Sequence, residues 1–380
     1  MVDTVAPPPY LLREQDRRLF KRCRRAWDLG ATTRGNLVPR RPARTHDLDR
    51  ALRDALAIYY FPGMWSWNRA IVYPSVLEAF ARSMGEQRDA RRRDHGLTEA
   101  EELAWRRDHE LGEAMLRNYF SWAPTVDRFT PAWVGVEFGR GIPDPARPGQ
   151  EVQTGGGREV RVRDRIEVLV KDDDDVPWLL YHRFVDDGWA DLHGLELDER
   201  GLFHSWAWEL DYLGWTIGGV IYHELRRAVP PEGVTTDIAR LPARSMPSWD
   251  PLAAMDRRSQ PRVPLRSPEA SGPRLVQDET PYFRRTRILR TREELATAGR
   301  QVILEVEDMT DPQLRVYPNP SPESCGGCEF REPCAAMYRG EDATALLEAG
   351  YRPRGDEAAT WCLGSRGMLG RGSLPWKARR

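Results

Sequence analysis

A group of three cysteines near the C-terminus constrains this chain more than any other feature of its sequence. Cys325, Cys328 and Cys334 follow a C-x₂-C-x₅-C spacing, and two glycines between the first pair allow the tight turn that points both thiolates at one centre. Such a trio needs a fourth ligand, and Cys23 and Cys362 are the other cysteines. Zinc sites usually close with a second C-x₂-C or H-x₃-H pair, which this sequence lacks. The pattern therefore favours an iron–sulfur cubane with four thiolate ligands, with zinc or unligated thiols as the alternatives.

The composition is that of a soluble globular protein, with 40% hydrophobic and 30% charged residues and a net charge of -1. The N-terminus carries an acidic residue and prolines where a signal peptide needs a basic start, and no apolar run reaches the ~20 residues that span a bilayer. We therefore expect a cytoplasmic protein with no membrane partner, in which five cysteines do not form a disulfide framework. Lysine occurs at Lys21, Lys171 and Lys377, so a mechanism that needs a lysine has three candidates.

Hydrophobic periodicity and turn residues divide the chain into five parts. Residues 1–125 read as a helical region, and residues 126–228 read as an α/β core with strands AWVGVEF, REVRVRDRIEVLV and PWLLYHRFV, closed by a long helix over 200–228. Recurring prolines predict a largely irregular crossing segment over 229–281. Residues 282–363 follow with the strand YFRRTRILR, a helix opened by a capping box of Thr291 and Glu294, and the cysteine trio. Residues 364–380 are rich in glycine and arginine and predict a flexible tail.

Three stretches, taken in order, resemble the iron–sulfur branch of the PD-(D/E)XK nuclease superfamily, which includes cluster-containing CRISPR-associated exonucleases and the AddB nuclease domain. They are RRLFKRCRRAWDLG, LGEAMLRNYFSWAPTVDRFTPAWVGVEF and MTDPQLRVYPNPSPESCGGCEFREPC. The resemblance runs along most of the chain and is poorest at 229–281. It implies a restriction-endonuclease-like α/β fold: a mixed sheet flanked by helices, with a helical N-terminal region and a C-terminal iron–sulfur subdomain. It also implies that Cys23, rather than Cys362, joins Cys325, Cys328 and Cys334 around a 4Fe-4S cluster, which staples the two ends of the domain.

The same resemblance assigns five active-site positions. An active member has a carboxylate on one strand and an acid-x-lysine pair on the next; these groups bind Mg²⁺ or Mn²⁺ and activate water. Here Glu167, with Asp164 nearby, falls at the first acid, and Tyr181 and Arg183 fall at the acid-x-lysine pair. Tyrosine is a poor ligand for a hard cation, and arginine does not replace a compact ammonium. The helix histidine and the glutamine of the family are replaced by Arg53 and His204.

Two interpretations of this site compete. In the first, the fold and cluster remain and the chemistry is lost. In the second, the site has migrated: Glu167 and Lys171 share a strand face because they are four residues apart, and Asp164, Asp186 and Asp187 could supply further carboxylates.

The leading functional hypothesis is a catalytically inactive, DNA-binding or scaffold component of a DNA-processing or defence assembly, with protein partners in that assembly. The alternative is an active Mg²⁺- or Mn²⁺-dependent deoxyribonuclease with a rearranged site. A redox sensor is a third class, which a change in DNA or partner binding on oxidation would reveal. The basic residues of the 13–25 helix, with Arg40, Arg41, Arg44 and Arg91–Arg93, are candidates for phosphate contacts, although for any one of them a solvated helix face is the simpler explanation.

Overall fold

A mixed six-stranded sheet forms the centre of the computed structural model, which describes residues 7–42, 44, 46–212, 215–231 and 274–355. Its strand order is β3-β5-β6-β7-β9-β8. The β6–β7 pair is parallel, whereas the other neighbours in this sheet are antiparallel. The strands are β3 (Phe129–Phe138), β5 (Asp164–Asp172), β6 (Pro177–Val185), β7 (Gly219–Arg226), β8 (Arg274–Glu279) and β9 (Phe283–Leu289).

Two short two-stranded sheets accompany the central one. In the first, β1 (Tyr10–Leu12) pairs in parallel with β4 (Val160–Val162). In the second, β2 (Leu37–Pro39) pairs antiparallel with β10 (Tyr351–Pro353) and so joins an N-terminal segment to a C-terminal one.

Helices cover both faces of the central sheet. The N-terminal ones are α1 (Glu14–Arg22), α2 (Arg24–Gly30), α3 (Leu48–Tyr59), α4 (Arg69–His95) and α5 (Glu99–Val126), with a 3₁₀ turn at Pro62–Met64. Later helices are α6 (Leu192–Glu196), α7 (Glu199–Asp211), α8 (Arg292–Thr310), α9 (Pro322–Gly326), α10 (Arg331–Tyr338) and α11 (Thr344–Gly350). The predicted mixed sheet flanked by helices is therefore confirmed. So is the capping box of Thr291 and Glu294, which begins α8.

Burial of apolar side chains divides the interior into two cores, one on each face of the sheet. On one face α3, α4 and α5 pack against β5–β7 through residues such as Leu56, Phe80 and Ile221. On the other face α1, α2, α7 and α8 pack around Trp208 and Tyr222. Each helix thus buries one stripe of its surface, which is the arrangement that amphipathic helices require.

The predicted helix over 200–228 is wrong beyond Asp211. Helix α7 ends there, and residues 219–226 form β7, a central strand buried on both faces. Gly219 has φ of +154°, and a Cβ at this position would lie 2.0 Å from the backbone oxygen of Ile288 on β9. The close approach of the two strands thus requires glycine at the point where β7 begins.

The proline-rich segment is less irregular at its end than predicted. Strand β8, Arg274–Glu279, lies within the 229–281 range and forms one edge of the central sheet. Because β8 and β9 belong to the same sheet as β3, β5, β6 and β7, the sheet contains strands from both sides of this segment. Residues 232–273, the 364–380 tail and Cys362 lie outside the described residues. In the described part of the chain no helix has the length and apolar character that crossing a membrane demands.

Candidate functional site

Glu167 lies on β5 among cationic side chains. His182 Nδ1, on the neighbouring strand β6, is hydrogen-bonded to Glu167 Oε1 at 2.9 Å. Arg53 from α3 approaches the same oxygen at 3.6 Å, and Arg200 from α7 approaches Oε2 at 3.8 Å. Glu167 lies opposite Gly135 of β3, whose φ of +60° interrupts the regular strand. The carboxylate is therefore contacted by residues from both helical layers.

The charge state of Glu167 follows from these partners. Burial alone raises the pKa of its carboxyl group, but the hydrogen bond from His182 and the charges of His182, Arg53 and Arg200 outweigh it, so that the pKa is lowered. Asp164 behaves in the same way. Burial raises the pKa of Asp164. The charge and hydrogen bond of His204 and hydrogen bonds from two backbone N–H groups outweigh burial, so the pKa is lowered. Both carboxyl groups are thus held ionised.

A second series of polar side chains starts at Tyr181, the residue that precedes His182 on β6. Tyr181 Oη and His204 Nδ1 are hydrogen-bonded at 2.5 Å, and His204 Nε2 lies 3.4 Å from Asp164 Oδ2. The guanidinium of Arg200 lies over the Tyr181 ring, 4.3 Å from its centroid. Burial raises the pKa of Tyr181 well above its ordinary value, so its hydroxyl remains protonated and serves as a hydrogen-bonding group.

These side chains surround a pocket of about 400 Å³ between α1, α3, β3, β5 and α7. We call it the arginine pocket, because six of its lining residues are Arg13, Arg18, Arg53, Arg163, Arg165 and Arg200. Five acidic residues also line it: Glu14, Asp54, Glu137, Asp164 and Glu167.

Several of these arginines pair only loosely with the acids. Arg18 lies 3.7 Å from Glu14, and Arg163 lies 3.8 Å from Glu137. These two distances, like those from Arg53 and Arg200 to Glu167, are longer than a hydrogen bond. The guanidinium N–H groups in these four pairs therefore retain capacity to donate to a ligand.

The pocket brings together four of the sequence-predicted positions, namely Arg53, Asp164, Glu167 and His204, with Tyr181 behind them. Arg183 does not line it: its guanidinium lies 6.0 Å from the ring centroid of Tyr222 on β7. The other migrated-site candidates also lie elsewhere. Lys171 Nζ contacts Asp175 at 2.9 Å and the ring of Trp215, and Asp186 pairs with Arg227 at 2.8 Å. Asp187 is exposed and does not line the pocket.

Sequence patterns did not identify His182 and Arg200 as partners of Glu167, or Arg163 as a lining residue of the pocket. Tyr181 and Arg183 of β6 were assigned from the sequence, but not His182, which lies between them. Strands β5 and β6 are paired from Val168 and Leu180 to Lys171 and Pro177, so Glu167 lies just beyond the paired residues, where strand alternation does not predict its partner. Arg200 could have been found from its place four residues before His204, one helical turn away on α7.

The predicted cluster cysteines line a second cavity, of about 500 Å³. Cys23 lies between α1 and α2, Cys325 on α9, Cys328 in the following turn and Cys334 on α10. All four are free thiols and half-buried. Burial raises the pKa of the Cys334 thiol, and the nearby Arg25 guanidinium opposes that rise. We call this space the cysteine cavity.

Within the described ranges no group of three His, Cys, Asp or Glu side chains is arranged so that it could hold a metal ion. A zinc site needs four ligands within about 2.3 Å of a single ion, whereas a cubane gives each thiolate its own iron.

No protein-family model matches the chain, and no curated protein matches it either. The two cavities and the side chains around them are therefore the basis on which a function can be assigned.

Proposed function

We propose that this chain is a catalytically inactive, iron–sulfur relative of the PD-(D/E)XK nucleases that binds DNA through the arginine pocket. The observation that carries the proposal is the environment of Glu167. The carboxylate that would bind the catalytic cation is engaged by His182, Arg53 and Arg200, and among the residues that the structure describes no lysine lines the pocket.

The pocket suits phosphate better than a hard cation. Guanidinium groups donate paired N–H bonds to phosphate oxygens and need no bridging metal. The loose pairs of Arg18, Arg53 and Arg163 leave such donors available beside the pocket opening. Mg²⁺ would instead need near-octahedral oxygen ligands. The carboxylates at the nuclease positions, Glu167 and Asp164, already have His182 and His204 as partners.

The cysteine cavity supports the iron–sulfur part of the proposal. Cys23, Cys325, Cys328 and Cys334 would each hold one iron of a 4Fe-4S cluster. The cluster supplies a covalent crosslink between the N- and C-terminal segments and a one-electron redox couple.

Fluorescence anisotropy with labelled single- and double-stranded DNA tests the binding. We expect affinity that is the same in EDTA and in Mg²⁺ and that falls steeply with salt, because arginines that neutralise phosphates release counterions. The double substitution Arg18→Ala and Arg163→Ala should weaken binding at least ~10-fold, since hydrogen bonds to charged groups contribute about 1.5–3 kcal/mol each. Arg107→Ala is the matched control, because Arg107 is an exposed arginine of α5 away from the pocket.

A nuclease assay with Mg²⁺ or Mn²⁺ tests the inactivity. The purified chain should not degrade either form of DNA above background. Cleavage that Glu167→Ala abolishes would replace this proposal with an active, rearranged deoxyribonuclease. Equal DNA affinity for the wild type and the Arg18/Arg163 variant would show that the arginine pocket is not the binding surface.

A further inference from the structure

A single residue on the wall of the cysteine cavity directs two donors at the turn that carries Cys23. Asn319 stands between Pro318 and Pro320, and proline has no backbone N–H. Its own N–H is therefore the one backbone donor of this three-residue stretch, and it donates to Cys23 Sγ at 3.4 Å. The flanking prolines restrict the backbone on both sides and so limit the directions in which this N–H can point.

The side chain of Asn319 reaches the same turn. Its Nδ2 donates to the carbonyl oxygen of Arg22 at 3.1 Å. Arg22 is the last residue of α1, and carbonyls at a helix C-terminus lack partners within the helix. Both donors of one exposed residue thus converge on the junction between α1 and α2.

That junction is itself held in one conformation. Cys23 has an extended backbone, with φ of -165° and ψ of 113°, and it separates two helices. Its N–H donates to Leu19 O at 2.9 Å, and its carbonyl accepts from Trp27 N at 3.0 Å. The backbone of Cys23 is therefore fixed at both ends, and Asn319 contacts its thiol on the wall of the cysteine cavity.

We infer that Asn319 is a positioning residue for the cluster: its N–H···S hydrogen bond and its amide contact with Arg22 together orient Cys23 toward the trio, and the N–H···S hydrogen bond raises the reduction potential of the cluster. The inference rests on the proposed iron–sulfur cluster. A hydrogen bond to a ligating sulfur stabilises negative charge there, and the reduced cluster carries one more negative charge than the oxidised one. The amide contact with Arg22 holds Cys23 in place without altering its sulfur.

Two variants separate these contributions in the intact, anaerobically purified chain. Asn319→Ala keeps the N–H and removes the amide contact, whereas Asn319→Pro removes both. Reduction potential measured by spectroelectrochemistry should be more negative in Asn319→Pro and close to the wild-type value in Asn319→Ala. Loss of iron to a chelator should be about 10-fold faster in Asn319→Pro, the effect usual for contacts that orient metal ligands, and less accelerated in Asn319→Ala. Gln313→Ala, an exposed position on the same connection, is the control.

An unchanged potential in folded Asn319→Pro would overturn the inference. If Asn319→Pro does not fold, as judged by circular dichroism, Asn319→Ala decides: iron loss no faster than in Gln313→Ala would refute the positioning role. Failure of the cluster proposal is a different result, namely wild-type protein without iron. A brown wild type whose Asn319 variants have unchanged reduction potential and iron loss would support the cluster and would show that Asn319 does not position it.

Discussion

Acidic residues of the arginine pocket differ in the direction of their pKa shifts. The pKa values of Glu167 and Asp164 are lowered, whereas that of Asp54 is raised. Its half-buried carboxyl group accepts a hydrogen bond from Ser83 Oγ at 2.7 Å, but burial outweighs this bond and raises its pKa to about 6. The folded chain therefore binds a proton more tightly than the unfolded chain does. Stability from this group is present at low pH and is lost as pH rises through the interval from about 4 to about 6.

Asp54→Asn should remove that dependence. Between pH 4 and pH 7 the free energy of unfolding of the wild type should fall, relative to the variant, by up to about 3 kcal/mol, since one pKa unit corresponds to about 1.4 kcal/mol. Urea unfolding curves at several pH values measure the difference. Asp89→Asn, at an exposed position on α4, is the control. Parallel pH profiles for wild type and Asp54→Asn would show that Asp54 ionises normally in the folded chain.

A substitution at Glu167 tests whether the pocket binds phosphate directly or holds a catalytic cation. If the pocket contacts phosphate directly, Glu167→Gln removes a negative charge beside Arg53 and Arg200 and should tighten DNA binding several-fold. Glutamine keeps an oxygen that can accept from His182. Anisotropy titrations in EDTA measure this effect. Weaker, Mg²⁺-dependent binding would indicate that Glu167 is a metal ligand.

At the scale of elements, β9 is unusual because its arginines are buried and paired. Arg284 Nε donates to Glu224 of β7 at 2.6 Å, and Arg285 Nη2 donates to Asp127 at 2.6 Å. Glu224 also accepts from the backbone N–H of Ala190, and Arg284 donates to the carbonyl of the same residue. The Arg284–Glu224 pair thus fixes the loop after β6 to the adjacent strands.

Glu224→Gln should destabilise the chain by about 3–5 kcal/mol, because it leaves the charge of Arg284 buried without its counterion. Thermal or urea unfolding measures this loss. Glu341→Gln, which removes one partner of the exposed Arg339 pair, is the matched control and should change little. Equal stability of the two variants would mean that water reaches Arg284.

Local patterns predicted most of these elements but not the connection between α7 and β7. β-branched and aromatic residues identified β3, β5, β6 and β9, since they suit a pleated, buried surface. The predicted helix over 200–228 runs across Gly218 and Gly219 into the apolar run Val220–Tyr222, which belongs to β7. Gly218 and Gly219 were the overlooked stop signal.

Side-chain partners were less predictable than strands. Alignment to the nuclease pattern brought Glu167, Arg53 and His204 to one pocket, but it could not supply His182 or Arg200. The His182–Glu167 contact joins two strands and the Arg200–Glu167 contact joins a helix to the sheet, so both depend on tertiary packing. The buried ion pairs of β9 could not be predicted for the same reason. An arginine-rich strand is expected to be exposed unless its counterions on other elements are known.

At the scale of the whole molecule, the N- and C-terminal segments are joined by contacts that do not involve the four cysteines. Strand β2 pairs with β10, and Arg17 on α1 forms a buried ion pair with Glu305 on α8 at 2.6 Å. A small apolar core adds to these contacts; it consists of Ala26, Leu29, Phe330 and Tyr351. The sequence suggested that the cluster staples the two ends of the domain. These contacts connect the same ends through protein alone.

Cysteine substitutions should therefore separate the cluster from the fold. Protein purified without oxygen should be brown and contain about four irons per chain. Cys23→Ala should lose the iron, since it removes one of the four thiols around the cysteine cavity, whereas Cys362→Ala should keep it. Cys23→Ala should nevertheless retain the secondary structure and a cooperative, though lower, melting transition, because the β2–β10 pair and the Arg17–Glu305 ion pair remain. Iron analysis and circular dichroism on the same preparations measure both properties. A colourless Cys362→Ala variant would reassign the fourth ligand, and a Cys23→Ala chain without a cooperative transition would show that the cluster, rather than these contacts, holds the two ends together.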